Sequence, residues 1–513
     1  MRSNRLRGCL MVAALFAGTS SASAQDTPDK KTDEKTDKKT DEKTDERTEK
    51  TAAPDRVAQA EPSPPPGADQ PGSSGPATPG LREPAPGSEA QLRKMVEETV
   101  TKMMPKGPSL EFAGYARAGV GLNIRGGKEV CFVLNGADAK WRLGNECDYV
   151  IEPQFTGRLV KRDDGSNWGV VVMPGLYRTW DSPGPAFNDV PTVFRQVYFF
   201  GENIPELAHG RVWGGRRYYD RLHLDINDQF LEIHDSDGAG IEDMKVGPGK
   251  LSAAFLMNPN SESNPVPNPA PMGAPLPSAN FAPISLSFRY TDIPTVPGGA
   301  LQIWAAIDPT LTSPDKKSDE VGVVVPKPDT HFRVGVYHTL DKVLGGSNLV
   351  GAKVDVTGSD HLTWRVVTQQ QVPFNNGHSQ VDIIAEFRSN RDRPDSNTSY
   401  ATNNWLSAGG RIDHQLSGPF RFLFEAGIDH VFAASGGDPN LIKITPCLAI
   451  NAGEQNGSRP TVRLFYTHGI WNSAAQTAPL GVYTGGTSGT RLAQVYGDAT
   501  NGGSFGLQAE AWW

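Results

Sequence analysis

From residue 110 onward, apolar and polar residues alternate with a period of two in short runs broken by Gly, Asn, Asp and Pro. Successive side chains of a strand point to opposite faces, so each run sorts into two sets. In the last eleven residues Phe505, Leu507, Ala509, Ala511 and Trp513 share one face, while Ser504, Gln508, Glu510 and Trp512 share the other. The first run places Leu110, Phe112, Gly114, Ala116, Ala118, Val120 and Leu122 opposite Glu111, Tyr115, Arg117 and Asn123. Later runs repeat the pattern: Leu406, Ala408, Gly410 and Ile412 face away from Trp405, Ser407 and Arg411, and Val462, Leu464 and Tyr466 face away from Arg463 and Phe465. No stretch after residue 110 sustains a 3.6-residue period, so the pattern means β-structure. One side of each run suits lipid and the other, with its charges, suits water. Roughly 400 residues, at about 9 to 11 per membrane strand plus turns, accommodate about 16 to 18 strands. The expected fold is all-β: a large transmembrane antiparallel β-barrel of about 18 strands over residues 109–513, wide enough for an aqueous channel. A charge facing hydrocarbon is expensive, so Glu510 marks the lumen face and carries Trp512 into the lumen, with Trp513 facing lipid.

The segment before the barrel reads differently. Arg2, Arg5 and Arg7, an apolar stretch and Ala22-Ser23-Ala24 are expected to form a cleaved secretory signal over residues 1–24. Residues 25–87 combine a charged near-tetrapeptide repeat with a Pro-rich stretch and read as a disordered periplasmic arm. Residues 88–105 carry Leu92, Val96, Thr99 and Met103 at coiled-coil spacing, with Ser88 as N-cap and Pro105 past the end. They form either a short helix that associates with its copies in an oligomer or a frayed connector. The Pro- and Asn-dense segments 258–283 and 309–328 are expected to be extracellular loops.

Export into an oxidising compartment makes Cys131 and Cys147 an expected disulfide around Gly136 and Trp141. Cys447 is left as a buried or lipid-facing free thiol on a strand. The net charge of −8 argues against nucleic acid as a partner. Walker-type loops, CxxC, HExxH and GxSxG motifs are all missing from the sequence, which argues against an enzyme and names no cofactor or metal. An indole in a watery passage points to a sugar ring, whose apolar face stacks on aromatics while its hydroxyls bond to Arg and carboxylates.

The run from Phe112 to Arg117, the segment from Cys131 to Cys147, Trp213-Gly214-Gly215-Arg216-Arg217-Tyr218-Tyr219, Gly238-Ala239-Gly240-Ile241-Glu242 and the ending Ala511-Trp512-Trp513 resemble the maltoporins. The resemblance spans residues 112–513, densely at first and thinly through the loops, and the long N-terminal arm is more like that of the related sucrose porins. It implies a homotrimeric, 18-stranded barrel in the outer membrane of a Gram-negative bacterium, embedded in outer-membrane lipid, that passes maltodextrin or sucrose-like oligosaccharides along an aromatic slide and a polar track. Carried over residue by residue, the slide would comprise Tyr115, Trp405 and Trp512 with Phe332, or else Val334, near a remaining position, and Trp180 would match the aromatic that a neighbouring subunit's loop inserts at the pore mouth. The polar track would comprise Arg117, Arg142, Glu152, Arg195, Arg221 and Asp228, with Phe230 beside it, and the inward-folded constriction loop would lie within residues 219–240. Val150 stands where the resemblance has a slide tyrosine, His223 where it has a track carboxylate, and Phe230 where it has a tyrosine.

Each assignment has a plainer counterpart. Trp405 or Trp512 could belong to an interfacial aromatic girdle, Trp180 to a loop core, Arg195 and Arg221 to ordinary wall charges, and Asp228 to a loop turn. The alternative functions are a general ion-conducting porin that has lost the slide, or a surface receptor or anchoring barrel whose loops bind phage or whose arm binds cell wall.

Overall fold

The computed structural model describes residues 108–179, 193–257, 284–309, 330–357, 361–392, 401–433, 437–477 and 491–513. The signal sequence, arm and helix expected over residues 1–105, Trp180, and nearly all of the two long loops lie outside them.

Eighteen strands form one antiparallel sheet in which chain neighbours pair, and the sheet closes on itself. Closure is made by the first strand, Ser109–Asn123, which pairs with Asp148–Lys161 on one side and with the last strand, Asn501–Trp512, on the other. The closing register sets Tyr115 opposite Trp512 and Arg117 opposite Glu510. Closure leaves no unpaired strand edge, a requirement for a sheet that sits in lipid. The alternation read from the sequence is the alternation of the wall. Phe505 and Leu507 are exposed on the outside, and Ser504, Gln508 and Glu510 are buried inside.

Two further strands, Leu222–Leu224 and Gln229–Glu232, pair only with each other. They form a hairpin inside the connection between the wall strands Gly210–Arg217 and Ser236–Val246. The inward loop therefore spans residues 218–235, and residues 236–240, expected within it, belong to the wall.

A second connection, residues 124–147, also turns inward. It holds the disulfide Cys131–Cys147, and across that link the Asn145 side chain accepts from the Phe132 amide at 2.6 Å and donates to the Phe132 carbonyl at 2.8 Å. The two inward segments bond to each other, Lys140 N–H to Asn227 O and Arg142 N–H to Ile226 O, both at 3.0 Å. Apolar residues from both bury against the inner wall. Phe132, Leu134 and Ala139 pack with Trp405, Val431, Leu441 and Trp471. Trp141 packs with Leu224, Ile226, Leu231, Trp304 and Tyr337.

Trp141 fits because the wall lacks side chains where it lies. A Cβ on Gly427 would stand 2.0 Å from its ring and one on Gly409 2.7 Å away. Gly427→Val is expected to force the indole out and, as an overpacking change, to cost about 1–3 kcal/mol. Protease accessibility of the disulfide segment, measured on the intact barrel, checks this; an unchanged cleavage rate would refute it.

Candidate functional site

Glu510 sits near the end of the last strand and is 3% exposed. Its Oε1 accepts from the Tyr115 hydroxyl at 2.7 Å and from Arg142 Nη2 at 2.8 Å. Its Oε2 pairs with Arg463 Nη1 at 2.8 Å and lies 3.6 Å from Arg459 Nε. Arg142 also pairs with Glu146 at 2.9 Å and with Asp225, so the disulfide segment supplies the cation that ties the closing strand to the inward hairpin. Arg117 pairs with Asp148 at 2.6 Å and with Glu146, and donates to Tyr115 Oη at 3.1 Å. Lys140 lies 3.6 Å from Glu146 and 3.4 Å from Asp228. Asp228 in turn lies 3.3 Å from His223 Nε2, and the His223 ring is 4.2 Å from Phe230. Burial alone would raise the Asp228 carboxyl, but Lys140, the His223 hydrogen bond and Arg142 outweigh it and hold it well below the usual carboxylate range.

A second group lies along the wall strands Asp148–Lys161 and Val193–Ile204. Glu152 accepts from the Tyr218 hydroxyl at 3.0 Å and pairs with Arg195 Nε at 3.1 Å. Arg221 donates to both oxygens of Asp235 and lies 3.3 Å from the centre of the Tyr218 ring. All six residues assigned to the polar track therefore lie in paired, interior positions, with Phe230 beside Asp228 through His223.

The slide residues fare differently. Phe332 is 50% exposed on the outer face with Val334 and Val336, because its neighbour Arg333 pairs inward with Asp308 at 2.9 Å. The expectation for Phe332 is thus corrected. The inward aromatic of that strand is Tyr337, which donates to Glu232 of the hairpin at 2.7 Å.

Trp405 is on the inner face but 0% exposed. It donates to Asp429 at 3.1 Å and is covered by the disulfide segment, with the Arg365 and Arg388 guanidiniums each 6.0 Å from its ring. Tyr115 is 2% exposed and serves as a hydrogen-bond centre rather than an open ring face. Trp512 remains half-buried, with the Arg459 guanidinium 3.8 Å from its ring centre. Val150 is buried on the inner face, but of the two residues registered opposite it, Arg117 and Tyr177, the second is an aromatic half-buried on the same face.

The sequence reading did not assign Glu146, Asp148, Asp225, Lys140, Tyr218 or Asp235 to the site. These lie in or beside the two inward segments, where no strand period exists to sort them. Arg411 and Arg463 were legible as polar-face residues. Arg411 pairs with Glu425 at 2.6 Å.

A closed 18-stranded wall, an inward disulfide segment and an inward hairpin meeting in a charged belt are the geometry against which relatives can be compared. The family model of the LamB porins matches residues 110–513. This chain belongs to the LamB porin family. Among solved structures it is similar to Pseudomonas aeruginosa OccK2 in complex with glucuronate, at 11% identity and a TM-score of 0.43, covering 79% of this chain and 98% of that one. It is also similar to an anion-selective porin from Comamonas acidovorans, at 11% identity and TM-score 0.40, covering 79% and 100% of the respective chains. A trimer form of OmpT from Vibrio cholerae shares 10% identity at TM-score 0.38, with coverage of 79% and 100%. The LamB porin is accordingly an outer-membrane channel protein with a transmembrane β-barrel wall.

Proposed function

We propose that this LamB porin passes oligosaccharides of the maltodextrin or sucrose class by guided diffusion, through the charged belt between the inward hairpin and the wall. The observation that carries the reading is the belt itself. Arg117, Arg142, Glu152, Arg195 and Asp228 form a band of fixed donors and acceptors, and the half-buried rings of Trp512, Tyr177, Tyr218 and Phe230 stand in the same region of the interior. A sugar moving past such a band exchanges one set of hydroxyl bonds for the next while its apolar face stays against aromatic surface. Each contact is weak, so the sugar is released. Trimer formation and attachment through the N-terminal arm belong to the same proposal.

Sugar block of ion current in planar bilayers tests it. Maltotriose or sucrose is expected to block saturably, with half-block on the order of millimolar, as multi-site pore binding requires. Current that no oligosaccharide blocks would favour the second reading, a general ion-conducting porin. One specific observation supports that alternative: Trp405 and Tyr115, two of the three inner-wall slide candidates, present no open ring face.

A further inference from the structure

Arg459 lies in the turn between the wall strands Asn440–Asn451 and Thr461–Trp471. In an outer-membrane barrel the short turns face the periplasm. Arg463 is two residues into the next strand and points inward with Thr461. Both guanidiniums face the same carboxylate oxygen, Glu510 Oε2, and only Arg463 reaches it at hydrogen-bond distance, 2.8 Å against 3.6 Å for Arg459.

The other oxygen of Glu510 is already taken by Tyr115 and Arg142. Arg142 has Glu146 and Asp225 as further partners. Among the described residues, the one other polar contact of Arg459 is a bond to the Ser458 carbonyl at 3.2 Å. The side chains of both arginines are 10% exposed, and the Nε–H of each is buried without a hydrogen-bond partner. Two buried cations therefore share one oxygen of one carboxylate. Burial first and the neighbouring Arg463 second push the Arg459 guanidinium down to about 10, against the opposing pull of Glu510 and Asp225, as expected of a buried cation beside a like charge. Two neighbouring charges at this end have partners of their own: Arg421 pairs with Asp413 at 2.6 Å, and Glu454 lies 3.8 Å from His378.

Two guanidiniums with unused donors match the paired oxygens of a carboxylate or phosphate. The Trp512 indole beside Arg459 adds ring surface of the kind a pyranose stacks on. From this juxtaposition we infer that Arg459, Arg463 and Trp512 form an anion subsite at the short-turn end of the channel, which takes the acidic group of a charged sugar, a uronate or a sugar phosphate. The inference deepens the oligosaccharide reading and rests on it.

The test is current block by intact porin in planar bilayers, with sugar added from the short-turn side. Trigalacturonate and maltotriose, equal in length, form one pair of probes, and glucose 6-phosphate and glucose form the other. The acidic member of at least one pair is expected to half-block at about one-tenth of the concentration its neutral counterpart needs, with the advantage shrinking as salt rises. Which pair shows the advantage distinguishes uronate from phosphate. Arg459→Gln and Arg463→Gln are each expected to remove most of that advantage. Arg459→Lys, which retains the charge without the fork, is expected to retain only part of it. Equal block by acidic and neutral sugars in the wild type would overturn the subsite while leaving oligosaccharide passage standing, and so would an advantage that survives both Gln substitutions. Block by neither class would overturn both.

Discussion

Asp138→Ala porin is expected to show frequent excursions to a higher single-channel conductance than the wild type. Asp138 lies near the tip of the disulfide segment and is gripped by two wall arginines, Arg365 at 2.5 Å and Arg388. Arg388 also donates to the Gly136 carbonyl at 3.0 Å. This clasp fixes the far end of a segment whose near end is held by the disulfide and by Thr467 donating to the Gly144 carbonyl at 2.7 Å. Removing one partner of a buried ion pair costs about 3–5 kcal/mol, and the lower end applies here because Arg365 keeps Glu386 at 3.9 Å and Arg388 keeps the Gly136 carbonyl. At 1.4 kcal/mol per factor of ten, that raises the undocked fraction of the tip by roughly a hundredfold or more. Undocking uncovers lumen space and the face of Trp405, so sugar block is expected to strengthen during the excursions. The measurement is a single-channel record with and without maltotriose, on barrels whose heat-shifted gel migration matches wild type. A conductance indistinguishable from wild type would show that the segment stays in place without its clasp.

The same segment marks where sequence reasoning stops. The wall was legible because each strand repeats a period of two, and one charged residue fixes which face is inside: Glu510 oriented the last strand, Arg117 the first. Phe332 was legible too. His331 and Arg333 alternate with Phe332, Val334 and Val336, which points Phe332 outward, and only the alignment to relatives placed it inside. Trp405 was assigned to the correct face, but its burial depends on Phe132, Leu134 and Ala139 crossing the lumen to reach it. Those residues carry no periodic pattern, and their position is set by long-range contacts such as Asp138 with Arg365 and Trp141 with Gly427. The hidden part of the site is therefore the part made by irregular backbone. The ion pairs of the belt are partly legible from parity, as with Arg411 and Arg463. They are illegible where the loops supply the partner, as with Asp225 and Glu146.

Glu510→Gln is expected to shift the channel toward anions, with an anion-over-cation permeability ratio about five- to tenfold above wild type. The substitution retains an acceptor for the Tyr115 hydroxyl but removes the charge that Arg142, Arg459 and Arg463 share. A unit charge at 4 Å is worth about 1 kcal/mol in bulk water and about 4 kcal/mol at a protein surface. The lower part of that range applies to a hydrated passage at physiological salt, and it corresponds to the stated ratio. Arg463→Gln removes a cation from the same cluster and is expected to move selectivity the opposite way, toward cations. The pair of variants separates electrostatics from loosened packing, because a merely widened passage would lower selectivity in both instead of shifting it with opposite signs. Reversal potentials under a potassium chloride gradient give the answer. Shifts of the same sign in both variants, or none in either, would show that the Glu510 cluster does not face the conducting path.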